Sequence, residues 1–112
     1  MGNNRLLGGF ESLLLLAVLR LGERAYGVTI RQELMDKAGK DVAVGAIYTG
    51  LDRLERKGLV DSSLGEPTAE RGGRAKRFYR VTATGLRALN NKQQAVEGML
   101  DGVDLLGGDA HA

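Results

Sequence analysis

Cysteine is absent from this chain, which removes disulfide frameworks and thiolate metal sites together. Tryptophan is absent as well, and three Tyr and two Phe are the whole aromatic complement, so the core has to be aliphatic. The single histidine, His111, stands next to the last residue. No H-E-x-x-H, G-x-S-x-G or P-loop pattern occurs, so neither metal chemistry nor general acid–base catalysis has an obvious set of residues. The expectation is a protein that is not an enzyme, with no catalytic residues, no metal and no cofactor. The longest apolar run, residues 13–19, falls short of the roughly 20 residues that span a bilayer. Residues 1–8 lack the basic and apolar regions of a signal peptide, and Leu6 stands where a myristoylation signal has Ser or Thr. A soluble, cytoplasmic protein with no membrane partner is expected.

What is present fits one small domain with an appended element: 112 residues, 43% hydrophobic and 27% charged. The net charge of +2 is small, but it is unevenly spread. Residues 71–80, RGGRAKRFYR, carry Arg71, Arg74, Lys76, Arg77 and Arg80 and no acid. Residues 97–112 carry Glu97, Asp101, Asp104 and Asp109 and no Lys or Arg. A polyanion would be drawn to the first segment and repelled by the second.

Three helical periods open the chain. Phe10, Leu13, Leu14, Ala17, Val18 and Leu21 form one apolar face, and Leu15, Leu16 and Leu19 a second, so this helix must be covered on both sides. A small domain covers one side; the other calls for a further element or a further chain. Gly22 closes the helix. A second helix is expected from Tyr26 or Gly27 to Lys37, with Ile30, Leu34 and Met35 inward. The third, residues 44–57, places Val44, Ile47, Tyr48, Leu51 and Leu54 on its apolar face. Its other face carries Gly45, Ala46, Thr49, Gly50 and Arg53. A solvated helix face prefers Ala over Gly by about 1 kcal/mol per site, so a face this bare is shaped to lie close against something.

After Gly58 the period changes. Residues 59–64 and 77–81 read as two strands joined by a long loop that holds Pro67 and the Gly72-Gly73 pair. Thr82 is an N-cap for a last helix, in which Leu86, Leu89, Gln93, Val96, Leu100 and Val103 recur at alternating spacings of three and four. With Gly98 and Gly102 inside it, such a helix is marginal alone and needs an apolar partner. The face of Leu15, Leu16 and Leu19 offers one, and Met99 joins the same side, so two chains clasped through these surfaces make a homodimer. The fold class is mainly α (α+β): a winged helix-turn-helix with a two-stranded wing over residues 1–82, a dimerisation helix over 83–106 and a flexible tail over 107–112.

The work expected of such a chain is binding. A helix entering the major groove needs small residues where its backbone nears base edges, with a few donors to read them. Thr49 reaches a base or a phosphate, Arg53 a guanine edge or a phosphate, and the backbone N–H groups of Gly45 and Ala46 suit a phosphate oxygen. Tyr48 is on the apolar face and its ring is expected in the core. A basic run is ordinarily a solvated face; placed after a helix-turn-helix order, Arg71, Gly73, Arg74 and Lys76 become a wing whose cations meet phosphates or the minor groove. The rival reading is a winged helix that contacts protein or RNA without operator binding.

The segments GGFESLLLLAVL, AYGVTI, VAVGAIYTGLDRLERKGLV and GGRAKRFYRVTATGLRAL, in that order, resemble the PadR-like transcriptional regulators over residues 7–89. The resemblance implies a winged-helix domain that binds double-stranded DNA, a homodimer through the C-terminal helix, and repression relieved by a small molecule. It matches Tyr26 and Gly27 to the family's aromatic-Gly start of the second helix, Tyr48, Thr49 and Arg53 to its recognition helix, and Gly73, Arg74 and Lys76 to its wing. The C-terminal segment is short, as in the small subfamily. Some small members hold flat drugs between tryptophans at the dimer interface, a device a chain without Trp does not share. An effector pocket would have to be aliphatic, around Leu15, Leu19, Val96, Met99 and Leu100, residues expected first of all as plain dimer core.

Overall fold

The computed structural model describes residues 6–65 and 75–107. Four helices and one hairpin follow in the order α1 (Gly9–Leu21), α2 (Gly27–Ala38), α3 (Val44–Arg56), β1 (Val60–Leu64), β2 (Arg77–Val81) and α4 (Ala83–Leu100), with a single 3-10 turn, Gly22–Arg24, between α1 and α2.

Local chemistry sets most of these bounds. Gly8 N–H donates to Glu11 Oε1 at 3.1 Å and starts α1. Tyr26 N–H donates to Thr29 Oγ1 at 3.0 Å and starts α2. Gly39, at φ 65°, stops α2 in the left-handed conformation, with its N–H and that of Lys40 bonded back to Met35 and Leu34 carbonyls. Gly58, at φ 77°, does the same after α3. Thr82 accepts from Gly85 N–H at 3.0 Å and donates to the Gly58 carbonyl at 2.7 Å, so one hydroxyl caps α4 and ties it to the end of α3.

The strands pair antiparallel, Val60 opposite Val81 and Leu64 opposite Arg77, and Gly65 N–H to Lys76 O at 2.7 Å closes the base of the loop. The chain between α1 and α2 adds an edge contact that hydropathy does not announce: Tyr79 N–H donates to the Ala25 carbonyl at 2.9 Å. The core lies where α1, α2, α3 and the hairpin meet, through Leu14, Leu15, Val18, Ile30, Leu34, Ile47, Leu51, Leu54 and Val60, all essentially sealed from water.

Several expectations need correction. Leu15, expected on the outward dimer face, is fully buried in the chain's own core; Leu16 and Leu19 alone remain outward. Met35 is exposed rather than inward. Ahead of α1, Leu7 is buried and its carbonyl accepts from Lys92 Nζ at 2.8 Å. The last helix ends at Leu100 and not at residue 106; Asp101 is extended and Gly102 takes φ 81°, so Val103 falls in the turns beyond. Of the expected tail, residues 108–112 lie outside the described residues.

Candidate nucleic-acid interface

Helix α3 divides its residues by burial. Ile47, Gly50, Leu51 and Leu54 turn inward, while Gly45, Ala46, Tyr48, Thr49 and Arg53 are exposed. Two residues change sides from the expectation. Gly50, expected on the smooth outer face, is buried where α3 crosses α1, and a β-carbon there would sit 2.5 Å from Leu14 Cδ1. Tyr48, expected in the core, is 43% exposed and lies across the start of α2, where a side chain at Gly27 would collide with its hydroxyl. Val44 is exposed as well. The outward surface of the N-terminal half of α3 is therefore Val44, Gly45, Ala46, Tyr48 and Thr49, which together bear no charge.

Ion pairs then single out one cation. Arg56 pairs with Asp52 at 3.3 Å, and Lys57 with Glu11 at 2.6 Å. Arg31 binds Asp41 and the Val42 carbonyl, holding the turn between α2 and α3. Arg53 is the one basic side chain of α3 without an ion-pair partner among the described residues. The Lys57 hydrogen bond also holds the Glu11 carboxyl below the usual carboxylate range, with the Gly8 N–H acting in the same direction.

The root of the hairpin stands beside this face. Lys76 Nζ lies 5.2 Å from the centre of the Tyr26 ring, and Phe78 packs edge-on against the same ring at 5.4 Å and 67°. Tyr26 thus has its ring engaged by the hairpin, and it brackets Lys76 to the start of α2. Arg71, Gly73 and Arg74 lie outside the described residues. Between α3 and β2 runs an open trough of about 410 Å³, walled by Tyr48, Thr49, Asp52, Glu55, Arg77 and Tyr79. Burial pushes the Tyr79 phenol up. Glu55, Arg77 and Ser62 were not singled out from sequence as site residues; Glu55 accepts from Ser62 Oγ at 2.8 Å, and Ser62 Oγ accepts from Arg77 Nη1 at 3.0 Å. The alternation that put Arg77 on the same side of the strand as Tyr79 was the available signal.

A second surface lies across the molecule. Leu16 and Leu19 of α1 face Leu86 and Leu89 of α4 across a groove of about 300 Å³ that also includes Gln93. Leu89 is half-buried against the core, while Leu86, Val96, Met99, Leu100 and Val103 are exposed. Gln93 donates to Glu97 at 2.7 Å within its own helix. A further opening, about 490 Å³, lies between the end of α1 and the outer side of the hairpin near Leu19, Glu23, Phe78 and Arg80.

Three helices, the third with a bare outward half, and a basic-rooted hairpin beside it define a winged helix-turn-helix protein. The chain belongs to the PadR-like family: the family model described as "Transcriptional regulator PadR-like family" matches residues 15–91. It is similar to transcriptional regulator Rv3488 of Mycobacterium tuberculosis, 36% identical over 86 residues that make up 77% of this chain and 74% of that one. Its fold is similar to that of a PadR family transcriptional regulator from Eggerthella lenta, with a TM-score of 0.67 and 30% identity over 88% of this chain and 83% of that one. A transcriptional regulator from Clostridium thermocellum shares the fold at a TM-score of 0.65 and 22% identity, covering 81% of this chain and 85% of that one. The protein is thus a transcriptional regulator and not an enzyme. No helix among the described residues is long and apolar enough to cross a membrane.

Proposed function

We propose that this regulator is a cytoplasmic homodimeric repressor that grips an inverted-repeat operator in double-stranded DNA. The observation that carries the reading is the outward half of α3, where Gly45, Ala46 and Thr49 leave the backbone close to the surface and Arg53 stands one turn on without an ion-pair partner among the described residues. Small residues admit base edges, and the uncommitted guanidinium supplies a donor for guanine or phosphate. Lys76, braced on Tyr26, adds charge beside the helix; the sequence adds Arg71, Gly73 and Arg74 to the same loop. Tyr48 presents its exposed edge to the same side.

Pairing two copies through Leu16, Leu19, Leu86, Val96, Met99 and Leu100 buries the apolar surface that one copy leaves in water. Operator half-sites one helical turn apart require the two α3 helices to stand roughly 34 Å from each other. A small-molecule effector that relieves repression has room in the opening between α1 and the hairpin, rather than around Leu15, which the core has consumed.

Electrophoretic mobility with a promoter duplex, against total RNA as competitor, tests the reading. Retardation of the duplex that RNA does not relieve is expected. Preference for RNA, or no retardation of any duplex, overturns operator binding in favour of an RNA or protein platform.

A further inference from the structure

The trough between α3 and the hairpin contains a feature that plain electrostatics disfavours. Glu55, an acid, projects from the helix proposed to meet a polyanion, on the side that faces the wing. Its carboxylate accepts the Ser62 hydroxyl proton at 2.8 Å. The same hydroxyl oxygen accepts from the Arg77 guanidinium at 3.0 Å. Ser62 pairs with Tyr79 across the sheet, so Arg77, two residues away, shares that side of the pleat. Donor and acceptor roles are consistent along the chain: guanidinium to hydroxyl, hydroxyl to carboxylate. One hydroxyl therefore joins α3 to both strands at the root of the wing, immediately beside Lys76.

We infer that Glu55 and Ser62 are positioning residues, which set the angle of the hairpin against α3 and thereby hold Lys76, at the root of the wing, in reach of the backbone the helix is reading. The inference rests on the duplex-binding reading above. It accounts for an acid at this place: the repulsion it adds is offset by the phosphate contacts that a correctly aimed hairpin makes. Charge and positioning give opposite signs, which makes them separable.

Affinity for a short operator duplex, measured at several salt concentrations, is the test. Glu55→Gln keeps an acceptor for Ser62 and removes the charge, so it binds as tightly as the parent or more so. Glu55→Ala removes the same charge together with the acceptor and binds roughly fivefold more weakly. Ser62→Ala changes no charge, yet it weakens binding by a similar factor and lowers the slope of log affinity against log salt by about one, because a phosphate contact is lost with the aim of the wing. The double variant is no worse than either single one, since both break the same link. Overturning results are Ser62→Ala with parental affinity and slope, Glu55→Ala as tight as Glu55→Gln, or two effects that add. If the parent itself binds no duplex, the proposed function fails and not merely this device.

Discussion

From α1 through β2, almost every turn of chain sends an aliphatic side chain into one shared core, whereas α4, 18 residues long, buries only Gly85. That glycine sits under the Leu59 carbonyl so closely that a β-carbon would collide with it, so α4 is pinned to the body at its first turn. Leu89 still packs against the core and Lys92 reaches the Leu7 carbonyl; beyond Lys92 the helix runs out with Val96, Met99 and Leu100 in water. The radius of gyration records the result: 16.6 Å, against about 13 Å for a compact chain of this length. One region is a fold complete in itself; the other carries exposed apolar surface that the proposed pairing of two copies would cover.

The comparison breaks most sharply at the far end of α4. Replacing Val96 and Leu100 together by Asp is expected to convert dimer to monomer in light scattering. Operator affinity should then fall by roughly 10²–10⁴, the avidity of two linked half-sites, while the circular dichroism of the body is kept. A dimer that persisted in the double variant would take α4 out of the interface. Inside the body the opposite behaviour is expected. Leu51→Ala opens a cavity between α3 and the rest of the core and should cost about 2–5 kcal/mol in denaturant unfolding, with association lost only because folding is. The joint between the regions is sharpened by Thr82→Ala, which removes the cap of α4 and the bond to Gly58 and should cost about 1 kcal/mol. Weaker dimerisation from that change, without loss of the core, would locate the coupling at Thr82.

How much of this was legible in the sequence depended on whether a signal lay in hydropathy or in backbone geometry. The helices, the hairpin, the stops at Gly58 and the cap at Thr82 follow from period and residue type. The first helix misled because it is apolar nearly all round: Leu15 and Leu16 look alike to a periodicity, and only packing decides that one is sealed and the other exposed. Gly50 misled because a residue without a side chain carries no hydropathy. Its spacing of three and four residues from Ile47 and Leu54 is what places it on the inward face. Tyr48 left the expected core because Gly27 offers a seat across the start of α2. The edge contact of Ala25 with Tyr79 uses main chain alone, and the Ser62 link joins residues whose proximity only the register creates. Both were beyond a linear reading.

The smallest effect concerns the tie between the start of α1 and the end of α3. Lys57 Nζ lies 2.6 Å from Glu11 Oε2, with the carboxylate mostly covered and the ammonium 43% exposed. The Lys57 hydrogen bond, the Gly8 N–H and the charges of Lys57 and Arg53 lower the Glu11 pKa from its ordinary 4.5 against the opposing pull of burial. A carboxyl whose folded pKa is depressed contributes stability that is fully present above its unfolded value. That contribution is lost as pH falls through the folded value. Stability should therefore decline below about pH 4.5 in part through this pair. Exposure of the ammonium keeps the effect near that of a surface ion pair, about 0.5–1 kcal/mol. Lys57→Met should lower stability at neutral pH by that amount and flatten the acid limb of the unfolding profile. An acid limb with parental slope would assign the loss to other carboxylates. Because the pair fastens α1 to α3 and leaves α4 untouched, the same variant should dimerise as the parent does, which separates the two regions once more.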